Sequence, residues 1–180
     1  MTHFALHAHN VLLAEDFGAA SVFGMADAHP RRVVKLSNFG SLAQVGASAV
    51  GPCVHHIAPE MLLGDPFTTK VDVYAFGMLL CVRADPAATV CEGSALAHTR
   101  TPRYELCCRA VPFDGLEHAE VINCTLRCER PAVPGPESGC PLRCPILMQR
   151  CWHPDEDERP EFVEAVRVLK RAIAQLPKAW

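Results

Sequence analysis

The apolar pattern centres on Val71-Asp72-Val73-Tyr74-Ala75-Phe76-Gly77-Met78-Leu79-Leu80-Cys81-Val82. A helix that is apolar on every side has to be buried, and this one is too short to cross a bilayer. The stretch predicts the central helix of a globular core. Its one acid, Asp72, admits two readings. It either caps the first turn by accepting from free backbone N–H groups, or it is a buried anchor for a loop elsewhere in the chain. A second pattern follows near residue 160. Phe162, Val166, Leu169, Ile173 and Leu176 step by four, three, four and three, a one-sided apolar stripe on a helix starting at Pro160. That helix is expected to pack outside the central one.

Shorter elements fill the rest. Val11-Leu12-Leu13 and Val33-Val34-Lys35-Leu36 read as strands of a small ribbon that sets Asn10 and Asn38 side by side. The Gly-, Ala- and Asp-rich residues 15–32 read as a surface loop, and residues 41–56, with Gly46, Gly51 and Pro52, as an irregular segment. Ala58-Pro59-Glu60-Met61-Leu62-Leu63 predicts a short helix with proline near its first turn. Residues 83–110 lack any period and predict a mobile insertion, tolerant of deletion. Order resumes at Val111-Pro112-Phe113. Leu116, Ala119, Val121, Ile122 and Leu126 suit a helix, Pro131 to Gly139 a connection, and Pro145 opens a helix running through Leu147, Met148 and Cys151 to Trp152. The fold class is α+β and predominantly helical, one domain over 1–180 with insertions at about 17–30 and 83–110.

With 180 residues there is room for one domain with a substantial core. A net charge of -3 speaks against nucleic-acid or membrane-surface binding driven by charge. No apolar run follows Met1, so neither a secretory signal nor a membrane span is expected. Ten cysteines would suggest a disulfide scaffold in a short secreted chain, but at this length reduced thiols in a cytoplasmic protein are the expectation. Cys124-x3-Cys128 followed by Cys140-x3-Cys144 comes nearest to a metal pattern. Structural zinc favours tighter pairs, and Cys124 and Cys128 fall one turn apart in a helical stretch, which favours packing. His55-His56 and the group His3, His7, His9 have no carboxylate at a matching spacing.

Several stretches, in order, resemble the C-terminal lobe of a protein kinase, of the tyrosine-kinase-like or tyrosine-kinase kind. His3-x-x-Leu6-x-x-x-Asn10 resembles the catalytic loop H-R-D-L-x-x-x-N, Asn38-Phe39-Gly40 the D-F-G turn, and Ala58-Pro59-Glu60 the A-P-E motif. The run from Asp72 to Leu80 resembles the family's central helix. Cys151-Trp152-His153-Pro154 with Arg159-Pro160-Glu161-Phe162 resembles its C-W…R-P-x-F ending.

The resemblance implies roles. Asp72 would hold the catalytic-loop backbone, and Glu60 with Arg159 would form a buried ion pair tying the activation segment to the lobe. His3 and Phe39 would stack, and Leu12 would sit under a nucleotide base. It also implies degeneracy. Ala5 stands where a base would take the substrate proton, Phe4 where an arginine would meet a phosphate, and Asn38 where an acid would bind metal. Asn10 remains, and it and Asn38 could touch Mg²⁺ only as uncharged ligands. The given sequence holds no Gly-rich phosphate loop, no V-A-I-K lysine and no helix upstream of the catalytic loop, so the resemblance implies a cleft floor without the N-terminal lobe. The expected function is that of a catalytically impaired pseudokinase lobe that binds proteins in signalling through its helical surface. No cofactor is then expected. The alternative is a fragment of an active Ser/Thr or Tyr kinase, which would need ATP and Mg²⁺.

Overall fold

The computed structural model describes residues 2–16, 31–39, 54–81, 112–113, 115–133 and 141–175. The expected insertions at 17–30 and 83–110 and the stripe's Leu176 lie outside them. Among the described residues the architecture is α+β and mostly helical. Strands β1 (Val11–Asp16) and β2 (Arg31–Leu36) are followed by helices α1 (Pro59–Leu63), α2 (Lys70–Cys81), α3 (His118–Leu126), α4 (Arg143–Cys151) and α5 (Phe162–Ala174), with 3-10 turns at Ala8–Asn10 and Val54–His56. No helix among the described residues is long and apolar enough to cross a membrane.

The strands form an antiparallel ribbon with Val11 opposite Leu36 and Asp16 opposite Arg31. Each strand outruns its apolar stretch, because ladder hydrogen bonds come from the backbone whatever the side chain. The register places Asn10 and Ser37 together at one end, where Ser37 N–H donates to Asn10 O at 2.9 Å.

α2 lies at the centre of the core. Val71, Val73, Tyr74, Met78 and Leu80 are fully enclosed, packed with Ala58, Leu147, Met148, Cys151, Trp152 and Ala165. Its main neighbour is α4. A Cβ on Gly77 would meet the Cβ of Cys151 at 2.8 Å, so only glycine lets the two backbones approach this closely. Burial pushes the Cys151 thiol up to about 12, which leaves it a small apolar filler.

α5 packs outside α2, resting chiefly on α4 and meeting α2 where the Phe162 ring lies edge-on to Phe76. Several other expectations need correction. The apolar stripe of α5 faces inward only in part: Leu169 packs against the core and Ala165 and Ala172 beside it are buried, while Phe162, Val166 and Ile173 are exposed. Periodicity identifies an apolar side but not the side that a neighbour covers, and small residues allow the closer approach to α4. Cys128 is not helical. α3 ends at Leu126, and Cys128 follows in a left-handed conformation (φ 61) with its side chain exposed, while Cys124 is buried. Finally, Leu116 precedes α3, whose start is set by Glu117 N–H donating to Glu120 at 3.0 Å, and α4 opens at Arg143 with Pro145 inside its first turn.

Candidate functional site

Asp72 is the pivot of the site. It is the third residue of α2, yet both of its carboxylate oxygens serve a segment far away in sequence. His3 N–H donates to Oδ2 at 2.6 Å and Phe4 N–H to Oδ1 at 2.8 Å. Of the two readings open at Asp72, the anchor therefore describes the molecule and the cap does not. Phe4 has φ 63, an unfavourable conformation for a bulky side chain. It is held there by the grip on its N–H and by its ring, which meets Phe67 edge-on with centroids 5.7 Å apart.

His3 is buried, and its two ring nitrogens have distinct partners. Ala5 N–H donates to Nδ1 at 3.3 Å, and Nε2 lies 3.0 Å from Ser37 O. Together these require the tautomer with the proton on Nε2. The ring packs against Phe39 with centroids 4.6 Å apart, although Phe39 keeps 56% of its surface exposed. Asn38 has φ 63, a left-handed conformation that a short polar side chain tolerates.

The Asn10 amide nitrogen donates to Ala5 O at 2.8 Å and lies 2.9 Å from His7 Nε2, so it closes the 3–10 loop on itself. Leu12 is half-buried on β1. Ala5, Asn10 and Asn38 thus gather where the ribbon meets the loop. No Asp or Glu occurs within 2–10 or 37–39, and the nearby carboxylate of Asp72 is already bonded twice. Mg²⁺ prefers carboxylate and phosphate oxygens. Two amide side chains, one with its nitrogen already engaged, do not fit a nucleotide-bound divalent cation.

A second polar cluster lies on the other side of α2. Glu60 sits in the first turn of α1, and the Arg159 side chain is 0% exposed. They form a bidentate pair, Arg159 Nη1 donating to Oε1 at 2.6 Å and Nη2 to Oε2 at 2.9 Å. Arg159 also donates to His153 O at 2.8 Å and to Lys70 O and Pro154 O at 3.3 Å. Its guanidinium lies 5.2 Å from the centre of the Tyr74 ring. Burial raises the Tyr74 hydroxyl above its ordinary pKa.

Sequence reasoning missed Phe67 and Arg130. Arg130 lies 5.3 Å from the same Tyr74 ring and donates to Trp152 O at 2.9 Å and Thr125 O at 3.2 Å. Nothing local distinguishes it from a surface arginine. The described histidines have different surroundings. His3 faces Phe39, the His7 ring lies 6.0 Å from His56, and His55 is held below the usual histidine range by burial and then by nearby His118. Among the described residues no three metal-capable side chains come together.

Comparison with known proteins agrees with this geometry. Residues 1–92, just over half of the 180, match the family model described as protein tyrosine and serine/threonine kinase. The chain is 31% identical over 114 residues to a probable serine/threonine-protein kinase of Dictyostelium discoideum, covering 63% of this chain and 10% of that protein. It is 33% identical over 111 residues to inactive tyrosine-protein kinase 7 of Gallus gallus, covering 62% and 8%. It is 29% identical over 116 residues to a serine/threonine/tyrosine-protein kinase of Arabidopsis thaliana, covering 64% and 23%. The chain therefore spans less than a quarter of the length of any of these relatives.

Proposed function

Because the chain belongs to the protein tyrosine and serine/threonine kinase family, we propose that it is a catalytically impaired kinase C-terminal lobe, a pseudokinase that acts by binding other proteins. The observation that carries this reading is the contrast between intact anchors and a cleft floor without carboxylates. Ala5 can neither orient a hydroxyl nor accept its proton, and a positioned general base contributes roughly 10²–10⁴-fold. Asn38 brings no negative charge to a cation, and phosphoryl transfer relies mainly on positioning and charge stabilisation. Phe4 puts an apolar ring where an activation-segment phosphate would need a cation. The reading includes a cytoplasmic location, supported by the free thiols of Cys124, Cys128, Cys144 and Cys151. The net charge of -3 supports proteins rather than nucleic acid or membrane as partners.

The test is transfer of the γ-phosphate of ATP, with Mg²⁺, to generic serine/threonine and tyrosine acceptors. Background transfer is expected. Transfer above background that Asn10→Ala abolishes would refute the reading.

A second reading, a piece of an active ATP- and Mg²⁺-dependent kinase, is favoured by two observations. Asn10 is retained, at the meeting of the loop and the ribbon, and two of the relatives above are described as kinases. The same assay on the longest gene product that carries this chain decides between the two: transfer there that Asn10→Ala abolishes favours the second, and background transfer favours the first.

A further inference from the structure

We propose that the solvent face of α5 docks an acidic amphipathic helix of a partner protein. This rests on the protein-binding reading above and names the surface that would serve it. Phe162, Val166 and Ile173 share one face of the helix, with Val163 beside them. They are exposed to 38%, 46%, 66% and 63% in the order Phe162, Val166, Ile173, Val163. α5 holds to the rest of the molecule by another side, through Ala165, Val168, Leu169 and Ala172. The Phe162 ring meets Phe76 of α2 edge-on at 5.6 Å, so the stripe continues onto the half-buried flank of the central helix. Scattered exposed apolar residues need no explanation, but four on one side of one helix do.

The charges along this helix are sorted in the same way. Its acids are drawn toward the body of the protein, Glu161 to Lys70 at 2.7 Å and Glu164 to Arg150. Arg167 acts on Glu164 only at longer range. Arg167, Lys170 and Arg171 are exposed, and among the described residues no carboxylate forms an ion pair with any of them. Helical spacing sets Lys170 and Arg167 on the Val163 side of the stripe, away from the buried side, and Arg171 on the face opposite the stripe. A cation in the last turn also complements the helix dipole, which accounts for Arg171 but not for Arg167 and Lys170. An apolar stripe with a cationic edge complements a helix that carries its own apolar stripe and acids along one flank.

The experiment measures binding of the full chain to two synthetic amphipathic helical peptides with the same leucine stripe, one flanked by glutamates and the other by lysines. Vesicles containing phosphatidylserine serve as a third probe. At about 0.15 M salt, the glutamate peptide is expected to bind at least ~10-fold more tightly than the lysine peptide, since like charges placed face to face are strongly penalised. Val166→Glu with Ile173→Glu, and separately Arg167→Glu with Lys170→Glu, should each weaken the glutamate peptide by ~10-fold or more. Circular dichroism checks that both variants fold, and the charge variant decides the matter if the other does not. Equal binding of the two peptides, binding of neither, preference for the vesicles, or indifference to the folded variants would overturn the proposal. Any of these would leave the impaired-kinase reading standing, because that reading fails only by phosphate transfer.

Discussion

At Glu60–Arg159 and at Asp72, both oxygens of each carboxylate meet a donor, and Arg159 shares further hydrogen bonds with three backbone carbonyls. On the cleft floor, a few residues from the His3 amide, Ala5, Asn10 and Asn38 include no carboxylate at all. The two regions answer to different physics. The anchors lie in the interior, where an unpaired charge or N–H group is penalised by several kcal/mol or more. On the floor Asn38 is exposed, Ala5 is half-buried and the buried Asn10 is bonded to Ala5 O, so alanine at 5 and asparagine at 38 leave no buried charge unmatched. The groups that hold the fold together are therefore a separate set from those of the floor, and the proposed impairment concerns only the second.

The comparison breaks first at Glu60. Glu60→Ala strands the Arg159 guanidinium in a dry site and should lower unfolding stability by about 3–5 kcal/mol, read from urea denaturation. A loss within 0.5 kcal/mol, the range of ordinary surface substitutions, would mean that the anchor does not hold the fold.

Asp72→Asn keeps the shape but leaves one of the His3 and Phe4 N–H groups without an acceptor. The expected loss is about 1–3 kcal/mol, with faster hydrogen exchange confined to those two amides. Exchange unchanged at both would show that the loop holds its conformation unaided.

Phe67→Ala sharpens the picture of Phe4. An edge-on aromatic pair contributes about 0.5–1.5 kcal/mol, so a loss of that size is expected from thermal unfolding, together with mobility of the Phe4 ring seen by NMR. A variant as stable as the parent would leave Phe4 held by Asp72 alone.

The smallest effect belongs to the floor. Ala5→Asp combined with Asn38→Asp should change stability by no more than about 0.5 kcal/mol, because Asn38 is exposed and Ala5 is only half-buried. A large destabilisation would place the floor with the interior and collapse the distinction.

Much of this was legible from the chain alone. The all-apolar run around Tyr74 can only be a buried helix, whatever surrounds it. Val71, Val73, Met78 and Leu80 are accordingly enclosed. The order of His3…Asn10, Asn38-Phe39-Gly40, Ala58-Pro59-Glu60 and Arg159-Pro160 carried the resemblance, and the identities of Ala5 and Asn38 carried the loss of acids. These are properties of residue type and local spacing, which the chain specifies by itself. Tertiary structure decided what depends on distant neighbours. Asp72 could cap its own helix or grip another segment, and only the approach of His3 and Phe4 selects the second. The stripe on α5 has the same period whichever side is covered, and packing that buries Ala165 and Ala172 left Phe162, Val166 and Ile173 outward. Phe4 adopts a backbone conformation that no local preference favours, because a carboxylate 68 residues away and the Phe67 ring outweigh that preference.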